Sequence, residues 1–549
     1  MTWRLRPETR VLLTPILARP VQLGAALRAL EVLALADTPE PLVAVEVAPL
    51  CFDGDGDLAR AAAGAVLAAV LAARGLDFVA LDGYVRGLAD DWIPAPRPRR
   101  WDALRPEDLG AVEALGAGAT AVLGLASAHA RGQVREAAVR RLAARTDALA
   151  IPFLLVRLND WVPEVRAAAR ESLSARLRDA ATREATARTL VRNLPLVERL
   201  TRWMRADHAP IAREIAVLLT ETAPEAIEAG IEATDADIRR ASIRFALAHG
   251  ARLATETRRR AASDPDPALR LLAARSLSAG APEAELRDAL PALLADRSTA
   301  VRRQALDALG TRLAGVPEAV AALERALLDP SASVREAARF HQSRLGSIDA
   351  SAIYRAALSS ARGRTLEAAV AGVGETGGAA DAEALLPFAT HERPGVRRAA
   401  IRAVARLDAA HHEPSLLAAL RDPSAGVCRE AAAGLADRMH VVGEAPIAQL
   451  LAESPSPLTR LRAVDLLAGL DRWTALAALL DAACHADPAV AARARRRVER
   501  SSTEANRGYV RPSAAALARV DAALARASGG LDADVARALA STIASWRGG

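Results

Sequence analysis

Apolar residues recur along this chain in groups spaced three and four apart, and short polar turns interrupt them about every thirty residues, the pattern of amphipathic helices joined in antiparallel pairs. One motif marks the second helix of each pair: an acidic residue, four residues, an aliphatic residue, Arg, two residues, then Ala. It stands clearest in DWVPEVRAAA from Asp160, DPDPALRLLA from Asp264, DRSTAVRRQA from Asp296 and DPSASVREAA from Asp329. Anchored on the closing small residue, the series runs Ala138, Ala169, Ala216, Ser242, Ala273, Ala305, Ala338, Ala369, Ala400, Ala431, Ala463 and Ala494. From Ser242 onward the steps are 31, 32, 33, 31, 31, 31, 32 and 31 residues, so the chain is an internal repeat of twelve units. Four residues past the anchor an aliphatic side chain returns, as at Leu142, Leu173, Leu277, Leu309, Val373, Val404, Leu435, Leu467 and Val498. The small anchor lets neighbouring helices approach closely while Leu and Val fill the layer between them.

The turn acid and the Arg six residues later occur together as Asp160/Arg166, Asp207/Arg213, Asp264/Arg270, Asp296/Arg302 and Asp329/Arg335. A carboxylate there accepts orphan backbone N–H bonds at the start of the second helix, and the Arg is placed to reach the equivalent Asp of an adjacent unit. These positions predict a structural ladder, since an active site is singular and a ladder is repeated. Irregularities stand out against it. His391 replaces a turn Asp, Leu366 and Cys428 replace the ladder Arg, and a step of 47 residues from Ala169 to Ala216 followed by one of 26 to Ser242 predicts a local break.

The repeat resembles the bacterial HEAT-like arrays, whose units carry D-x-x-x-x-V-R-x-x-A; the resemblance covers Glu107 to roughly Arg500. It implies an all-α, right-handed α-solenoid with the second helices lining a concave face. Its members include scaffolds, adaptors, phycobilin lyase subunits and, in one branch, alkylpurine DNA glycosylases, so the fold alone does not select a function. The expected organisation is an N-terminal helical cap with a degenerate repeat over residues 1–91, a Pro/Arg/Trp linker over 92–105, the array over 106–500 and a C-terminal helical cap over 501–549. In the first cap the expected helices are Leu23–Ala36, Leu42–Leu50 and Leu58–Ala73; in the last they lie around Ser513–Ala527 and Asp532–Trp546.

Composition narrows the chemistry. All 72 residues counted as Lys or Arg are Arg, which removes P-loop, kinase and Schiff-base mechanisms that need an amine. The pI of 10.0 follows from a net charge of only +6 in a chain with almost nothing to titrate between neutrality and Arg, so it is no sign of nucleic acid. Cys51, Cys428 and Cys484 are too few and too scattered for a disulfide framework and suit a reducing, cytoplasmic setting. The most apolar stretch, Ala61–Ala73, is too short to span a bilayer, so no membrane partner is expected.

The candidate site residues are few. Trp92, Arg97, Arg99, Arg100 and Trp101 frame a proline-stiffened strip that could dock a partner, and Arg495, Arg496 and Arg497 lie in the densest basic cluster. Trp203 and Asp207 sit four apart, and the glycosylase branch of the resemblance implies a groove Trp with a catalytic Asp, although Asp207 also fills a ladder position. The Asp53–Asp57 run fails the calcium-loop spacing and reads as a turn, and Gly372, Gly374, Gly377 and Gly378 read as an inter-helix turn. No metal ligand set and no cofactor motif emerge. The expected function is a noncatalytic protein-interaction scaffold or adaptor with an acidic protein partner, at most weak binding of nucleic acid, and an open oligomeric state. The alternatives are a DNA-binding or glycosylase-like protein and an accessory lyase-type protein.

Overall fold

The computed structural model describes residues 5–17, 22–87, 101–249, 253–314, 316–345, 349–503 and 511–547. Among them there are helices and turns and no strand. The chain divides into two compact units, Met1–Glu285 and Leu286–Gly549.

The anchor residues explain the packing in both. Eleven of the twelve are buried; Ala216, in the irregular stretch, is the one that is partly exposed. The aliphatic residues four positions on, from Leu142 to Val498, are buried with them. The second helices stack on one another, Gly132–Ala143 on Pro163–Arg178 in the first unit and Gly363–Thr376 on Pro394–Asp408 in the second. Gly372 and Gly374, expected in a turn, lie inside Gly363–Thr376 instead. A Cβ on Gly372 would fall 2.3 Å from the Tyr354 ring, and one on Gly374 would fall 2.4 Å from Ala403, so both glycines set how closely helices approach.

The N-terminal region holds more helix than one degenerate pair. Leu23–Ala34 and Pro41–Val47 with its 3₁₀ extension Ala48–Phe52 pack on the alanine-rich helix Gly56–Ala72, while Pro7–Leu17 packs on Leu23–Ala34 and Asp77–Gly87 on Pro41–Val47. Asp55 starts that helix by accepting from the Asp57 and Leu58 N–H groups at 2.9 and 3.0 Å, which gives the acidic run a capping role. Glu107–Ala126 is long and apolar enough to cross a membrane by length and composition. Two thirds of its apolar window is nevertheless buried against protein (67%), and Gly116, at φ 62°, breaks it into two segments.

At the predicted break the chain inserts two helices, Arg183–Arg192 and Leu194–Leu200, between Pro163–Arg178 and Ala209–Val217. The inserted pair is tied to the N-terminal region, where buried Asn193 accepts from the Gly75 N–H at 2.9 Å. In the second unit Arg472–Ala483, Pro488–Thr503, Ala514–Ala527 and Ala533–Arg547 close the C-terminal end, with the last two near the expected positions.

Candidate protein-interaction surface

The ladder forms, and its geometry is repeated closely. Arg302 shows it in full: Nη1 donates to the carbonyls of Asp296 (2.8 Å) and Arg297 (3.2 Å) in its own turn, while Nε and Nη2 donate to the two carboxylate oxygens of Asp329, both at 2.8 Å. Arg is the residue for this work, since its planar fork satisfies two carbonyls and a carboxylate at once. Arg397 repeats the clasp on Asp422, at 2.7 and 2.9 Å. Arg239 closes on Asp264 at 2.9 Å, and Arg460 on Asp487 at 2.7 Å. Partners in these rungs lie 25 or 27 residues apart in sequence. Each turn acid also accepts the N–H two residues on, as Asp329 does from Ser331 at 2.8 Å. Asp487 accepts from the Ala489 N–H at 2.9 Å and so caps the helix Pro488–Thr503 directly, whereas at Asp329 this bond closes the turn. His391 serves the same end by accepting from the Arg393 N–H at 3.1 Å, and the Cys428 thiol donates to the Asp422 carbonyl where Arg is missing.

The most deeply buried rung joins the repeats to the N-terminal region. Arg135 donates to both oxygens of Asp160 at 2.9 and 2.8 Å, and Arg157 and Arg86 donate to the same carboxylate at 2.9 and 3.1 Å. Asp82 pairs with Arg157 and Arg86 in turn. The Asp160 side chain is 0% exposed. Burial works to raise its pKa, but the Arg135 hydrogen bonds and the Arg157 charge outweigh that and hold the carboxyl down at about 2.

One clasped arginine has its rung open. Arg166 makes the usual clasp on its own turn, donating through Nη1 to the carbonyls of Asp160 (2.8 Å) and Trp161 (3.1 Å). Its Nε and Nη2 meet no carboxylate among the described residues. The inserted helices put the next turn acid, Asp207, much further along the chain. Asp207 is exposed, accepts from the Ala209 N–H at 2.9 Å, and takes Arg170 on its main-chain oxygen. Arg213, six residues after Asp207 and expected to reach the acid of an adjacent unit, is exposed and makes no clasp among the described residues.

Next to this open rung stand two exposed apolar side chains, Trp161 and Met204. Trp161 occupies the place after the turn acid where Pro265 and Pro330 stand in other units, and it is 68% exposed. The Arg205 guanidinium stacks over its ring at 3.9 Å from the centroid, a cation–π contact that holds a large apolar face toward solvent. Met204, next to Arg205, is 91% exposed. Behind them His208 is buried, with both ring nitrogens unpartnered. Burial lowers its pKa and the charge of Arg170 adds to the effect, so the ring is neutral near pH 7.

The residues singled out from the sequence fall elsewhere. Trp92, Arg97, Arg99 and Arg100 lie outside the described residues. Trp101 offers no docking anchor. Only 3% exposed, its ring packs edge-on to Phe52 at 5.9 Å and beside His129 at 5.5 Å, and its carbonyl takes His129 Nε2 at 2.9 Å. Trp203 is half-buried against the core and the His208 ring. The terminal basic cluster is largely engaged: Arg497 joins Arg493 on Asp465, each with a contact at 2.8 Å, and Arg495 lies under Gly530 and donates to the Ala483 carbonyl at 3.4 Å. Arg496 remains exposed. Sequence reasoning passed over Trp161 and Arg205; the signal was an aromatic at a turn position otherwise held by proline.

Residues 255–340 match the family model of HEAT repeats. No curated protein matches the chain in sequence. Among solved structures, yeast importin-beta (Kap95p) is 14% identical over 99% of this chain and 81% of that one, with a TM-score of 0.28. The C-terminal fragment of the Chaetomium thermophilum cohesin loader SCC2 is 14% identical with a TM-score of 0.31; the match takes in 91% of this chain and 43% of that one, less than half of its length. The CpcE–CpcF complex of phycocyanin lyase from Nostoc sp. PCC7120 is 24% identical over 39% of this chain and 86% of that one, with a TM-score of 0.22.

Proposed function

We propose that this chain of HEAT-like repeats is a noncatalytic scaffold that binds another protein. The observation that carries the reading is the exposed, cation-stacked Trp161 with Met204 beside it. Trp and Arg dominate binding energy where proteins meet, and an exposed Trp held by a stacked guanidinium loses little rotamer freedom on binding. An enzyme centred on Asp207 has weaker support, since that carboxylate is exposed and closes a turn, and Trp203 packs inward. The test is capture from the native host by wild type and by Trp161→Ala with Met204→Ala, each identified by mass spectrometry. A reproducible partner that the double variant loses is the expected result. Identical captures by both proteins, or no reproducible partner, would overturn the reading.

A further inference from the structure

The ladder states what an unfilled rung should hold. In the rungs of Arg135, Arg239, Arg302, Arg397 and Arg460, a guanidinium fixed by its own turn carbonyls points its remaining donors at a carboxylate. Arg166 is fixed by the same two-carbonyl clasp at 2.8 and 3.1 Å, so its fork is oriented before any ligand arrives. A preoriented bidentate donor loses less on binding than a free surface Arg, and its free Nε and Nη2 edge is the one that grips a carboxylate in the closed rungs.

The surroundings favour an acid arriving from outside. Arg166 is partly exposed, Arg170 follows it one helical turn on, and Arg205 stacks over the Trp161 ring. The Asp207 carboxylate accepts from the Ala209 N–H and forms no ion pair with Arg166 among the described residues. Trp161 adjoins the fork through its own carbonyl and offers an apolar face beside a cationic slot. That combination fits a peptide in which an acidic residue is followed by an aliphatic one, and it is poorly matched to a phosphodiester chain, which would need several stacking aromatics.

We propose that the open rung at Arg166 receives a side-chain carboxylate from an acidic segment of a partner protein, which completes the ladder in trans while Trp161 holds the neighbouring aliphatic side chain. This rests on the scaffold reading above and specifies the chemistry of the same surface.

The test uses the full chain and fluorescence anisotropy, with a labelled peptide of sequence Glu-Leu-Glu-Glu-Leu, its all-Gln counterpart and a labelled single-stranded oligonucleotide. The expected result is saturable binding of the Glu peptide, at least about tenfold weaker binding of the Gln peptide, and at least about tenfold loss in Arg166→Gln. Arg302→Gln, which removes an arginine whose rung is already closed, should bind within about twofold of wild type. Arg170→Glu supplies an internal carboxylate one helical turn from Arg166 and should abolish binding while keeping the wild-type melting temperature, so the test survives if Arg166→Gln unfolds. Equal affinity for both peptides, no saturable binding of the Glu peptide, or Arg166-dependent binding that prefers the oligonucleotide would overturn the inference. The scaffold reading fails separately: a partner lost on Trp161→Ala but kept by Arg166→Gln leaves the scaffold standing and sinks the open rung.

Discussion

Arg335 and Arg166 both clasp their own turns with no turn acid opposite, and the two are resolved differently. Arg335 makes the standard clasp on the Asp329 and Pro330 carbonyls at 2.8 and 3.1 Å, yet Ser360 stands where the next turn acid belongs. Glu375, in the neighbouring second helix, fills the gap: it accepts from Arg335 through both oxygens and from Arg339 at 2.6 Å, while Arg339 also reaches the Tyr354 hydroxyl at 3.0 Å. At Arg166 two inserted helices carry the chain away and no internal acid replaces the missing one. A repeat can therefore drop a rung without exposing an arginine when a packed helix offers a carboxylate at the right height. Where none does, the fork faces outward.

The sharpest way to break this comparison is to open a closed rung. Asp160→Asn strips a carboxylate shared by three arginines in a buried site and should cost about 3–5 kcal/mol, read as a lowered urea midpoint. Next is acid. A carboxyl held near 2 when folded, against its ordinary value near 4, contributes stability that is fully present above the ordinary pKa and lost as pH falls from about 4 to 2. That contribution is about 2.5 kcal/mol, so wild type should lose urea resistance in that window and Asp160→Asn should lose correspondingly less. Glu375→Gln should cost about 2 kcal/mol, because it leaves the nearly buried Arg335 with carbonyl partners only. Arg166→Gln should cost less than about 1 kcal/mol, since it removes two exchangeable carbonyl contacts and no ion pair. Asp207→Ala should likewise cost about 0.5–1 kcal/mol through its lost turn bond, with no release of alkylated bases by either protein. Base release by wild type that Asp207→Asn abolishes at unchanged melting temperature would make Asp207 catalytic instead.

The repeat was legible because its signal is local and periodic. The Asp, the Val-Arg pair and the anchor Ala recur within ten residues, and each has a reason that holds wherever the unit recurs. The break after Ala169 was visible as a wrong interval, although nothing in the interval says that two helices fill it. Partners that depend on distant sequence were not legible. Asp82 and Arg86 meet the Asp160 rung across 74 and 75 residues, and no period connects them. Trp101 looked like an anchor because its flank is prolines and arginines; its burial comes from Phe52 and His129, which only the fold brings together. Trp161 was hidden for the opposite reason, being enclosed in a motif whose other positions are structural.

A chain without lysine gives amine-directed acylating reagents and cross-linkers no side-chain amine to attack. Its arginines invite a different reagent. Vicinal dicarbonyls condense with the terminal nitrogens of a guanidinium, and the clasp on carbonyls and carboxylate occupies both of those nitrogens in a closed rung such as Arg302 or Arg397. Adduct formation, followed residue by residue in a peptide mass map, thus becomes a readout of which rungs are shut. Arg302 and Arg397 should modify slowly, and Arg166 and the exposed Arg496 quickly, until a bound partner protects Arg166.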